Sequence, residues 1–145
     1  MGLAPPPPPA PTRPASTAGA RQRYQADGAT ISSPARLVVM LYERLVRDLN
    51  DAERAIATGD RTASHAALLH AQEIVDALDV SLDVGRWDGG PSLRSIYEHL
   101  NRELVTANLA QDRAPVIACL DIVRPLLDAW REAWALTADE LVTGP

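Results

Sequence analysis

Between residues 31 and 46 the chain reads ISSPARLVVMLYERLV, and Val38, Val39, Met40, Leu41, Tyr42, Leu45 and Val46 are too many apolar side chains for one narrow stripe of a helix. A surface helix hides one such stripe and leaves its other face to water. The excess therefore predicts neighbours on more than one side, whether helices of the same chain or a partner. Ser33-Pro34 forms the entrance, a Ser N-cap followed by proline at the first helical position, where its missing N–H is harmless. Leu37, Leu41, Leu45, Leu49, Ala52 and Ile56 carry the pattern onward, and Gly59 just beyond is the expected C′ residue, so the helix is placed at 34–58.

Three more helices follow by the same reasoning. Asp60 is expected to cap the second, in which Ala63, Ala67, Ala71, Ile74, Leu78 and Ser81 recur at three- and four-residue spacing up to Gly85. The breaker cluster GRWDGGP, residues 85–91, makes the next corner. Ser92 is expected to cap the third helix, with Leu93, Ile96, Tyr97, Leu100, Leu104 and Ala107 on one face. Asp112 is expected to cap the fourth, whose seam of Val116, Leu120, Val123, Leu127, Trp130 and Trp134 is the cleanest in the chain. Pro115 falls in its first turn, where it is tolerated, but Pro125 lies inside and is expected to kink the helix at a cost of ~3 kcal/mol. No useful stretch alternates with period two, so strands are not expected. Short connections make successive helices antiparallel. The predicted fold is all-α, an antiparallel up-down four-helix bundle over 31–140.

Composition sets the first 30 residues apart. Seven prolines fall in the first fourteen positions, with almost nothing large and apolar to bury, which predicts a disordered Pro/Ala-rich arm over 1–30. Its run Pro5 to Pro9 is read as a passive, solvated extension. Beyond the arm, eleven arginines stand against eighteen acids, about −7, a balance that repels a phosphate backbone and argues against nucleic acid as a partner. Cys119, the only cysteine, has no internal partner and reads as a small core residue. No apolar run is long enough to cross a bilayer, and the N-terminus lacks the basic start and apolar middle of a signal peptide; the expected location is the cytoplasm.

Chemistry is sparse. His65, His70 and His99 are not spaced to put two imidazoles on one helix face, and no inward Glu-x-x-His pair occurs, so neither a metal site nor a cofactor is expected. Nothing assembles a nucleophile with its base, and no glycine-rich phosphate loop is present, so no catalytic role is assigned. Two other readings stay open from the residues alone. A histidine phosphotransfer bundle would use His70 or His99, though the lysine that usually follows such a histidine is impossible in a Lys-free chain. Trp87-Asp88-Gly89 matches the W-x-G turn of small secreted helical proteins.

Several stretches together resemble the flagellar secretion chaperone family, FliS. They run in order: Tyr24, Ser33-Pro34, Met40-Leu41-Tyr42, Ala55-Ile56 before Gly59-Asp60, HAQEIVDALDVSLD at 70–83, the glycines Gly89 and Gly90, LRSIYEHLNRELVTAN at 93–108, and LLDAWREAW at 126–134. Departures are Ala29 and Ile31 where the family has Val and Thr, the interrupting Pro125, and the arm ahead of Tyr24. The resemblance implies a non-enzymatic chaperone that holds the C-terminal segment of flagellin along apolar surface grooves, with docking on the flagellar export gate as a further implied step. Candidate client-binding residues on this reading are Met40, Leu41, Leu68, Val75, Leu82, Ile117 and Leu126. The family's pattern also implies that the segment around Tyr24 lies over a groove when no client is present.

Overall fold

The computed structural model describes residues 34–82 and 88–143, with side chains described as far as residue 136. Ser33, Tyr24, the proline-rich arm and the Gly85–Trp87 part of the breaker cluster lie outside the described residues. Four helices make up the fold: α1 Pro34–Thr58, α2 Arg61–Ser81, α3 Gly90–Ala110 and α4 Arg113–Thr143. Each packs on its two neighbours in a ring, α1 on α2 and α4, and α3 on α2 and α4, while the backbones of the diagonal pairs stay apart. Among the described residues there is no strand.

The turns show why the ring closes. At the end of α1, Gly59 takes φ +75 while its N–H reaches the Ile56 carbonyl and that of Asp60 reaches the Ala55 carbonyl, a Schellman closure that needs a left-handed residue at this point. Asp60 then caps α2 by accepting from the Ala63 N–H at 3.0 Å. At the end of α3 the same turn is made by Gln111, at φ 51, a conformation that disfavours any side chain. Asp112 caps α4 through the Ala114 N–H at 3.0 Å.

Two boundaries differ from expectation. Helix α2 ends at Ser81, four residues before Gly85: Leu82 turns extended, and the Ser81 hydroxyl takes the Leu78 carbonyl at 2.8 Å. Helix α3 begins at Gly90 with Gly89 as its N-cap, so Ser92 sits within the first turn rather than capping it. The reason is Pro91, which favours the first helical positions and so draws the start ahead of Ser92. Pro125 does not end α4. It and Asp121 are both exposed, so the carbonyl deprived of its N–H partner is on the solvent side.

The apolar surplus of α1 is buried within the chain. Val39, Leu41, Tyr42, Leu45, Leu49 and Ala52 enter the core, and Leu37, Val38, Val46 and Ile56 pack against it. The α4 seam joins them through Val116, Leu120, Val123 and Leu127, with Trp130 and Trp134 half-buried at its far end. Across the diagonal the Tyr42 and Tyr97 hydroxyls bond at 2.7 Å in the core, and the Tyr42 ring lies 6.3 Å from that of Trp130. Burial raises the pKa of both phenols, so both stay neutral.

Two stability measurements follow. Tyr42→Phe and Tyr97→Phe should each destabilise by about 1–3 kcal/mol in urea unfolding, because each leaves the other hydroxyl buried without its partner. The double variant should lose less than the sum. The second concerns Asp48, 3% exposed on α1, which is held by His70 of α2 and by Arg44 at 3.3 Å. Burial raises its pKa above the ordinary 3.8 despite these partners and with Asp51 adding to the rise. The folded chain thus binds this proton more tightly than the unfolded one, so Asp48 subtracts stability as the pH climbs from its unfolded value through its folded value. As the pH rises from the ordinary carboxylate value of 3.8, the urea midpoint of the parent should fall relative to that of Asp48→Asn.

Candidate functional site

The four seams of the ring are closed by different means. Along α1 and α4, Arg113 Nε donates to Glu53 at 2.8 Å, Arg124 to Asn50 at 3.2 Å and Arg131 to Glu43 at 3.0 Å, and the Arg36 guanidinium lies 5.0 Å from the Trp134 ring centre. Between α1 and α2 the Asp48–His70 pair serves. The α2–α3 seam carries Arg94 to Asp79 at 3.1 Å, Asn101 to Asp76 at 3.0 Å, and Asn108 with His65 at 2.9 Å. Burial is the main reason that the Asp76 carboxyl has a raised pKa.

Between α3 and α4, among the described residues, the side-chain hydrogen bond is a weak one, from the Cys119 thiol to the Leu100 carbonyl at 4.0 Å. Burial pushes that thiol up to about 12, so it stays protonated and unreactive. Glu103 of α3, half-buried, is a charged residue of this seam, near enough to Cys119 to add to the rise of its pKa, and apolar side chains stand around it. Ile96 of α3 and Ile122 and Leu126 of α4 are half-buried against the core. On the helical repeat, Ala118 and Ala129 fall beside Ile122 and Leu126, and both are exposed. Small residues beside half-buried aliphatic ones leave an apolar strip partly open to solvent on this flank.

A second apolar strip lies outside the α2–α3 seam. The antiparallel register that pairs His65 with Asn108 and Asp76 with Asn101 brings position 69 opposite position 105. Leu69 and Val105 are 44% and 43% exposed, and Leu109, one turn beyond, is 78% exposed. Next to Leu109, at the turn end of the bundle, Arg61, Thr62, His65 and Asn108 join it around an open recess of ≈480 Å³.

The residues expected to bind a client divide sharply. Leu41, Leu68 and Val75 are in the core, at 4%, 0% and 0% exposure, so the expectation that they line a surface groove is corrected. Their second apolar rows exist because each helix packs on two neighbours as well as facing the centre. Met40, Leu82 and Leu126 are half-buried, and Ile117 is exposed at 41%. By helical position Ile117 falls on the α1 side of α4 while Leu126 falls on the α3 side, so these two do not share a surface. Tyr24 lies outside the described residues. Missed from the sequence were Ile96, Ile122, Leu69, Val105 and Leu109; only the pairing register separates these from core positions.

Among the described residues no group of three or more His, Cys, Asp or Glu side chains is placed to hold a metal ion. No described helix is long and apolar enough to cross a membrane. His70 is engaged by Asp48, and His99 is half-buried. What the fold and surface define is a helical-bundle protein with partly exposed apolar strips on both flanks of α3.

The family model described as flagellar protein FliS matches residues 17–137, most of the chain. A curated relative, the flagellar secretion chaperone FliS of Bacillus subtilis (strain 168), is 27% identical over 110 residues, covering 76% of this chain and 82% of its own. The chain belongs to the flagellar protein FliS family, and its class of function is that of a flagellar secretion chaperone.

The division between core and surface is testable by chemical unfolding. Leu68→Ala should destabilise by about 2–5 kcal/mol, with Val75→Ala also clearly destabilising, whereas Ile117→Ala should change stability by no more than about 0.5 kcal/mol.

Proposed function

We propose that this chain is a non-enzymatic cytosolic chaperone that holds the disordered C-terminal segment of flagellin in its apolar furrows, prevents premature polymerisation and delivers the subunit to the flagellar secretion apparatus. The single observation that carries the reading is the α3–α4 seam, crossed by no strong polar bond among the described residues and walled by Ile96, Ile122 and Leu126. A strip of aliphatic side chains between two helices, with Glu103 as a charged residue beside it, suits an amphipathic helix of a partner, whose own apolar stripe needs cover. Family membership supplies the flagellar setting.

The energetics suit holding and release. Each large side chain fully covered contributes ~1.5–3 kcal/mol, and a disordered segment gives several kcal/mol back on ordering, so the affinity left over is modest. In this reading Leu126 and Met40 contribute client contacts, and the segment around Tyr24 covers a furrow until the client displaces it. Contact with the export gate follows once client and chaperone have joined.

Gel filtration of the chain with intact flagellin should give a 1:1 complex, and flagellin lacking its last ~40 residues should elute apart. Leu126→Glu should weaken the complex at least about tenfold, since it puts a charge where apolar area is to be covered, while leaving the circular dichroism spectrum helical. Undiminished binding of the truncated flagellin would exclude the reading.

A further inference from the structure

The recess where α2 begins and α3 ends has a chemistry that the apolar strips lack. Ser64, fully buried, donates to Gln111 Oε1 at 2.7 Å, and Gln111 Nε2 donates to the Asn108 carbonyl at 2.8 Å. Gln111 Nε2 also reaches Asn108 Oδ1 at 3.4 Å, which turns the amide nitrogen of Asn108 toward His65, 2.9 Å from Nδ1. In the tautomer whose Nδ1 accepts from this amide, the shorter of its two contacts with Asn108, the imidazole carries its proton on Nε2. These bonds also explain why Gln111 holds a left-handed conformation that glycine would adopt more readily: its side chain ties the end of α3 to α2.

The recess is consequently rich in donors. His65 Nε2–H, the Thr62 hydroxyl and the Arg61 guanidinium belong to residues that line it, and Arg61 is its only charged liner. Asp60, the adjacent acid, is occupied in capping the Ala63 amide. From this recess the exposed apolar strip of Leu109, Val105 and Leu69 leads along the α2–α3 seam. Arg61 and Leu69 are about 12 Å apart along α2 at 1.5 Å per residue. A single cation with neutral donors at one end of an apolar strip complements a carboxylate at the end of an amphipathic segment.

We propose that this recess captures the free C-terminal carboxylate of the client polypeptide, with Arg61 as its charged partner and the last two helical turns of the client laid over Leu109, Val105 and Leu69. The inference rests on the reading of the chain as a chaperone for a C-terminal segment, and adds to it a polarity: the end of the client lies where α2 begins and α3 ends, at the end of the bundle that carries the α1–α2 and α3–α4 turns. Charge-assisted bonds of guanidinium to carboxylate are stronger than bonds between neutral groups, so removing the client's charge should be felt directly.

The test uses two synthetic peptides of the last ~20 residues of flagellin, one with a free carboxyl terminus and one with a terminal amide, titrated into the full chain by fluorescence anisotropy. Because hydrogen bonds to charged groups are the strong class, the free acid should bind about tenfold more tightly than the amide. In Arg61→Gln that preference should vanish, with helical content unchanged by circular dichroism. Equal affinity of acid and amide for the parent chain would overturn the proposal, and so would a preference that survives in Arg61→Gln. Binding of intact flagellin with no binding of either peptide would overturn it too, while leaving the chaperone reading standing. Loss of intact flagellin binding in the parent chain is the separate result that removes that reading.

Discussion

Burying both flanks of α1 commits α2 and α4 to lie on either side of it, and in a ring of four this leaves α3 to meet α1 across the centre, through the Tyr42–Tyr97 hydroxyl bond. Leu45, Leu49 and Ala52 leave no room for solvent at the centre, each being fully buried. A helix so apolar has no stable alternative as a surface element. Helix α3 is held instead by α2 and α4. It is therefore the helix on which surface furrows can form at the least loss of core packing, and the apolar strips on its two flanks agree with that.

Polar bridges and apolar furrows divide the surface between them. The α1–α4 seam is crossed by three arginine bonds and an arginine–tryptophan contact, so a client entering there would have to displace charged groups that already have partners. Individually such exposed pairs contribute little stability, on the order of 0–1 kcal/mol. Their effect on access is larger, because they fill the seam with long side chains held in place. Where α4 faces α3, Cys119 and Leu126 stand at the positions that mirror those arginines, and the exposed Ala118 and Ala129 lie just outside them, where small residues let a second helix approach.

The fold was legible because the α1–α2 and α3–α4 turns carry their caps in the sequence. Gly59, Asp60 and Asp112 stand where the caps form, and the α4 spacing of Val116, Leu120, Val123 and Leu127 matches its buried face. One misplaced boundary came from local competition, Pro91 outranking Ser92 as a start signal; at the other, α2 stops at Ser81 because Leu82 turns extended. The surface was far less legible. Leu68 and Leu69 are adjacent leucines, one fully buried and the other 44% exposed, and periodicity alone cannot rank them while the position of α3 is unknown. The network through Ser64, Gln111, Asn108 and His65 was beyond reach for the same reason, since it joins residues from the start of α2 to the end of α3.

Burial also bears on how long a partner must be. Ile96, Ile122 and Leu126 are already half-buried, so covering each recovers only about half of the ~1.5–3 kcal/mol that a fully exposed aliphatic side chain would yield. Three such contacts are comparable to the several kcal/mol a disordered segment loses when it orders. A short peptide in the α3–α4 furrow alone would thus bind marginally. Leu109, at 78% exposure, offers more per residue, and it lies on the opposite flank of α3. A segment long enough to reach both flanks would add their contributions through one chain, where the second contact is made at the high effective concentration set by the first. Such a client comes off when either flank is released, because neither holds it strongly by itself.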